Sequence, residues 1–185
     1  MIEHWHTSRI TKIGDYKIFS LFEIERNHPV LTEKRGDFYT LETSSWVNII
    51  PITRDGNVIL VQQYRHGVDS VTLEVPGGLV EAGEDPCRAG MRECLEETGY
   101  AASEPALLLG ETLPNPAFLN NSCYCYLWQN CEKISEQALD GNEDIHVLEV
   151  PIGEIPGMIQ SGKIQHSLVL SAFTYYWLRF GLTTT

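Results

Sequence analysis

From Gly78 to Tyr100 the chain runs GLVEAGEDPCRAGMRECLEETGY, and no other stretch limits its folding options as much. At three to four residues per turn, Glu93 and Glu97 stand one above the other on a helix, with Glu96 beside them. Like charges at those spacings destabilise an isolated helix. Arg92 is expected to neutralise only one of them, its i+4 neighbour Glu96. The rest call for another cation. A hard divalent ion such as Mg²⁺ or Mn²⁺ suits them, because it prefers oxygen ligands and commonly sits between carboxylates and substrate phosphates. A merely solvated acidic face would not need Glu84, the glycines and Arg92 at fixed offsets. Local signals bound the helix: Pro76-Gly77-Gly78 marks a turn, Asp85 caps with Pro86 at the first position, and Gly99 is a C-terminal stop. Gly90 in the interior costs about 1 kcal/mol against alanine, which suits a close approach by another element.

The pattern Gly78, five residues, Glu84, seven residues, Arg92-Glu93-Cys94-Leu95-Glu96-Glu97-Thr98-Gly99-Tyr100 resembles the Nudix box, with every charged and glycine position present. Cys94 and Tyr100 stand where aliphatic residues are commoner and are expected to pack beneath the helix. The resemblance implies an α/β fold: a Nudix-type α/β/α sandwich with a mixed central sheet and a small N-terminal antiparallel β-sheet. It also implies Mg²⁺-assisted hydrolysis of a nucleoside diphosphate linked to another moiety, with Mn²⁺ as an alternative ion. On that resemblance Glu93, Glu96, Glu97 and the carbonyl of Gly77 hold metal, and Glu84 and Arg92 brace the loop and helix. Glu93 and Glu97 form the catalytic group with Glu143, from the acidic loop of LDGNEDIHVLEVP, and Asp144 and Asp140 stand behind Glu143.

The flanks extend the likeness toward the ADP-ribose pyrophosphatase branch. In residues 1–43, KIFSLFEIER and GDFYTLET read as strands around a polar turn at Asn27-His28-Pro29, with His4, Trp5 and His6 as surface or packing residues. So small a sheet needs a partner surface, either the main domain at 44–185 or a second copy, and the branch resemblance implies a homodimer. WVNIIPITRDGNVILVQQYR is a hairpin turning at Asp55-Gly56, which delivers Gln63-Tyr64-Arg65 to a strand end. That triplet resembles the same branch and implies that Arg65 meets substrate phosphates, a task suited to its two parallel donors; a surface ion pair is the plain alternative. Glu74 binds substrate, supports the glycine loop, or is an exposed strand residue. Beyond the box come a strand, a Pro/Asn-rich loop and a strand. Pro116 stands near the branch's proline, Pro114 competes with it, and Leu119-Asn120-Asn121-Ser122 replaces the usual acidic residue. Phe118 stacks on a base or caps the core. SLVLSAFTYYWLRF reads as a C-terminal helix against the sheet.

Composition narrows the partners. A net charge of −12 argues against an electrostatic hold on nucleic acid or anionic membrane, so a phosphate-bearing substrate would approach through metal and arginine. No apolar run reaches membrane-spanning length, and MIEHWHTSRI lacks the apolar core of a signal peptide. The 5 cysteines, without zinc-site spacing, read as reduced thiols of a cytoplasmic protein. The expected substrate is a nucleoside diphosphate sugar, ADP-ribose first and GDP-mannose or UDP-glucose behind it. Alternatives are a nucleoside triphosphate or dinucleoside polyphosphate pyrophosphohydrolase, and a non-catalytic nucleotide-sugar sensor, which could dispense with the carboxylates kept here.

Overall fold

Two sets of chain segments cluster separately in the computed structural model, which describes residues 1–181: Met1–Ser44 with Leu113–Ser122, and Ser45–Thr112 with the chain from Cys123 onward. In the first unit β1 (His6–Asp15), β2 (Ser20–Asn27) and β3 (Arg35–Glu42) form an antiparallel sheet in the order β1-β2-β3. The β2 and β3 strands fall on the two expected runs. The β1 strand is additional: almost all of its residues are exposed, so it shows none of the alternating burial by which a strand announces itself. In the turn after β2, the His28 Nδ1 accepts the N–H groups of Val30 and Leu31 at 3.1 and 3.0 Å. Trp5 packs edge-on against His28 and Phe38, with centroids 5.4 and 5.7 Å apart, so it is a packing residue. Leu113–Ser122 joins this unit through the Leu41 N–H, which donates to the Phe118 carbonyl at 2.7 Å, and through Asn121 Nδ2, which donates to the Ser44 carbonyl at 3.0 Å. No sequence signal marked that loop as part of the first unit.

The second unit contains β4 (Trp46–Thr53), β5 (Asn57–Arg65), β6 (Ser70–Glu74), β7 (Gly77–Leu79), α1 (Pro86–Thr98) and β8 (Tyr100–Ala101). These are followed by β9 (Leu107–Thr112), β10 (Cys123–Lys133), β11 (Ile145–Pro151), α2 (Ile155–Gln160) and α3 (Ser167–Phe180). The sheet order is β11-β5-β4-β10-β8, with β6 on β5, β7 on β4 and β9 on β10. Its β4 and β10 strands run parallel and the other pairs antiparallel, so the sheet is mixed.

Strand alternation builds the layers. On β4, Val47 and Ile49 pack in one cluster with Ala89 and Cys94 of α1, while Ile50 and Ile52 pack in the other with Val169, Ala172 and Phe173 of α3. Helices on both faces of a mixed sheet make the expected α/β/α sandwich. Burying each of these large side chains contributes roughly 1.5–3 kcal/mol. Gly90 permits the contact of α1 with β4, since a Cβ there would lie 2.9 Å from Val47 Cγ2. The two unusual box positions also pack inward: Cys94 is fully buried, and Tyr100 lies against the same cluster. No described helix is long and apolar enough to cross a membrane.

Candidate active site

The box helix is bounded by its own residues. Asp85 Oδ1 accepts the Arg88 N–H at 3.1 Å, Pro86 begins α1, and Gly99 ends it in the left-handed region at φ 76° with its N–H on the Leu95 carbonyl.

Arg92 engages more carboxylates than the i+4 rule predicts. Its Nε and Nη2 donate to Glu84 at 3.1 Å each, and Nη1 donates to Glu93 at 2.9 Å and Glu96 at 3.0 Å. The expectation that it serves one carboxylate is therefore corrected. A guanidinium has donors on three sides, and the loop carrying Glu84 folds over the helix to meet it. Glu84 is held below the ordinary carboxylate range chiefly by this guanidinium, and Arg92 is raised in return, chiefly by Glu84. Glu96 remains 44% exposed, with Arg92 as its partner.

Glu97 is in a different position. It is 4% exposed, and its Oε2 accepts the Gly77 N–H at 3.0 Å. Burial pushes its carboxyl up to about 8; the Gly77 N–H opposes this, and the negative charges of Glu93 and Glu143 add to it. Arg65 draws it back down, but less. Burial likewise raises Glu93, against the pull of Arg92 and with help from Glu96 and Glu143. The fold thus brings Glu93, Glu97 and Glu143 within electrostatic reach of one another, with less positive charge than the cluster needs. Glu143 sits in a turn in which its N–H donates to the Asp140 carbonyl and its Oε2 accepts the Asp140 N–H, both at 2.9 Å.

Gly78 lies directly against Glu93: a Cβ there would stand 2.4 Å from the carboxyl carbon. The carboxylate is the free end of a flexible side chain and can swing away at little cost. Gly78→Ala is therefore expected to shift the melting temperature by only a few degrees, as for about 1 kcal/mol or less. Turnover should fall at least about tenfold, as for a displaced reacting group. Parallel thermal melts and initial rates check this, and a large melting shift with normal turnover would contradict it.

Arg65, at the end of β5, forms a two-pronged pair with Glu74, Nε to Oε1 and Nη2 to Oε2 at 2.8 Å each. Thr72 Oγ1 adds a third bond to Glu74, at 2.6 Å. Burial alone would raise the Glu74 carboxyl, but Arg65 and Thr72 outweigh it and hold the group below its usual value. Glu74 is 3% exposed, so it is no exposed strand residue. It orients Arg65, whose side chain stays 44% exposed.

These residues open on a cleft of about 920 Å³ lined by Trp46, Arg65, Glu74, Gly78, Lys163 and His166 among others. His166, just before α3, has its Nδ1 buried with no hydrogen-bond partner among the described residues, 4.0 Å from Glu74 Oε2. Sequence patterns passed over His166 and Lys163, which belong to no motif and lie in the turn between α2 and α3, where the Lys163 N–H donates to the Met158 carbonyl at 2.8 Å. Phe118 belongs to the first unit and is 42% exposed.

A sequence profile described as "NUDIX domain" matches residues 44–171. The methanol dehydrogenase activator of Bacillus methanolicus is 30% identical over 137 residues, covering 74% of each chain. The ADP-ribose pyrophosphatase of Bacillus subtilis (strain 168) is 27% identical over 137 residues, again 74% of each. The GDP-mannose pyrophosphatase of Citrobacter koseri is 27% identical over 184 residues, 91% of this chain and 95% of its own. The crystal structure of an ADP compounds hydrolase superposes with a TM-score of 0.83 at 18% identity, covering 99% of both chains, a likeness that speaks to the fold.

Proposed function

Because the chain belongs to the NUDIX family, with the match running from residue 44 to 171, we propose that it hydrolyses the pyrophosphate bond of nucleoside diphosphate sugars. ADP-ribose is the first candidate, and GDP-mannose and UDP-glucose follow. The products would be a nucleoside monophosphate and a sugar phosphate. The observation that carries this reading is that Glu97 and Glu143 lie within electrostatic reach of both Arg65 and Glu93, which leaves an excess of negative charge beside a guanidinium with donors to spare.

That shortfall fits a divalent cation. Among the described residues no three Asp, Glu, His or Cys side chains form a ready-made metal cage. Mg²⁺ seldom requires one, since it keeps several waters and takes one or two carboxylates plus substrate phosphates. Glu93, Glu96, Glu97 and the Gly77 carbonyl are the residues that would hold Mg²⁺ or Mn²⁺. When bound, the ion neutralises the diphosphate and lowers the pKa of water.

The chain's own groups do the rest. Glu74 consumes two donors of Arg65 and aims the remaining ones at phosphate oxygens. Glu143 takes the proton of a water whose oxygen attacks one phosphorus in line with the bridging oxygen, and the far phosphate leaves with that oxygen. Glu84 and Arg92 hold the loop against the helix. The cleft with Trp46, Lys163 and His166 accommodates the second half of the substrate. Exposed Ile10, Ile13 and Tyr16 on the first unit supply apolar surface for a homodimer. Five free thiols suit a reducing, cytoplasmic setting.

The test is phosphate release, coupled to a phosphatase, across nucleotide sugars, nucleoside triphosphates and dinucleoside polyphosphates, with and without Mg²⁺. Release from nucleotide sugars only when both metal and phosphatase are present is the expected result. Preference for triphosphates would move the assignment to the runner-up, and binding without turnover would make the chain a sensor.

A further inference from the structure

The last carbonyls of a helix have no partner within it, and in α1 those carbonyls belong to the turn that carries the acidic cluster. The segment Ile134–Ala138 supplies their donors. The N–H groups of Ile134 and Ser135 reach the Gly99 carbonyl at 2.8 and 3.3 Å, and that of Ala138 reaches the Glu96 carbonyl at 2.8 Å. Gln137 adds a side-chain bond, Nε2 to the Glu97 carbonyl at 2.7 Å. The same Nε2 donates to the Ile145 carbonyl at 3.0 Å, where β11 begins. Between these anchors runs 138–144, the loop that carries Glu143.

We propose that Gln137 is a positioning residue: its side-chain amide ties the end of the acidic helix to the start of β11 and so fixes where Glu143 stands relative to Glu93 and Glu97. The chemistry suits the task. A primary amide has two N–H hydrogens, one for each carbonyl, and carries no charge that would disturb the carboxylates nearby. Among the described residues the loop's own hydrogen bonds are those of the Asp140–Glu143 turn, so its placement depends on its ends. This role rests on the proposed part of Glu143 in hydrolysis.

The experiment uses the full chain with ADP-ribose and Mg²⁺. Gln137→Met keeps the length and loses both donors. It is expected to lower kcat roughly ten- to a hundredfold, as for a misplaced reacting group, while KM moves less than about twofold. In a Glu143→Gln background the same change should cost almost nothing more, because residues acting as one unit are not additive. Amide exchange across 138–144 should rise while β4 stays protected, and Gln137→Asn, which restores uncharged amide donors on a shorter arm, should recover part of the rate. An unchanged kcat, an equal loss with Glu143 already removed, or unchanged loop exchange would each overturn the clamp. If Glu143→Gln alone leaves turnover intact, this role falls together with that of Glu143. A wild type inactive on every nucleotide sugar defeats the pyrophosphatase reading itself, which separates that failure from additive behaviour in an active enzyme.

Discussion

Glu97→Gln is expected to fold normally and to lose turnover by about 10²–10⁴-fold, the range for removing a charged group that acts on the reacting water or its metal. The side chain is almost completely buried, and its Oε2 takes the Gly77 N–H. A glutamine oxygen can accept that same bond, so the glycine loop stays seated on the helix. What disappears is the carboxyl's ability to give up its proton and turn negative when a cation binds. In this site charge is scarce on the positive side, and Glu97 is the carboxylate that Arg92 leaves alone. The measurement pairs a circular dichroism melt with initial rates over a range of Mg²⁺ concentrations. Near-normal turnover with an unchanged metal requirement would refute the assignment.

The second large effect concerns stability against pH in the metal-free protein. Burial raises the Glu97 carboxyl from 4.5 to about 8. In the window between those values the folded chain keeps a proton that the unfolded chain has released. The unfolded state then binds fewer protons, so stability falls as pH rises. The contribution is fully present below about pH 4.5 and lost by about pH 8. At about 1.4 kcal/mol per pH unit the loss is capped near ~5 kcal/mol. Burial moves Glu93 in the same direction. Glu74 and Glu84, both held below their usual values, act oppositely and mainly below pH 4.5. Urea unfolding in EDTA at pH 5, 6, 7 and 8 should therefore show a decline that flattens in Glu97→Gln. Excess Mg²⁺ should return stability to the wild type at pH 8 more than at pH 6, since an ion that binds only the folded state stabilises it by mass action. A wild type that gains stability from pH 5 to 8 in EDTA would contradict the buried, charge-starved placement of Glu97.

Most of the second unit's local structure was legible because its signals lie within a few residues of one another. Asp85, Pro86 and Gly99 bound α1 by capping chemistry, Asp55-Gly56 turns the β4–β5 hairpin, and the apolar run Ser167–Phe180 forms α3. The spacing of Glu93 and Glu97 placed both carboxylates on one helix face before any tertiary contact was considered.

Sequence by itself therefore determined the helix and its charge pattern, and the family resemblance of that segment pointed to the layered fold. Tertiary structure alone decided how those charges are partitioned. It decided that Arg92 gathers Glu84, Glu93 and Glu96, that Glu74 turns inward to hold Arg65, and that Glu97 is buried without a cation of its own. It also decided that Gln137, 40 residues beyond Glu97, closes over the end of the helix. Capping and periodicity are properties of neighbouring residues, whereas desolvation and long-range hydrogen bonds exist only once distant segments have met.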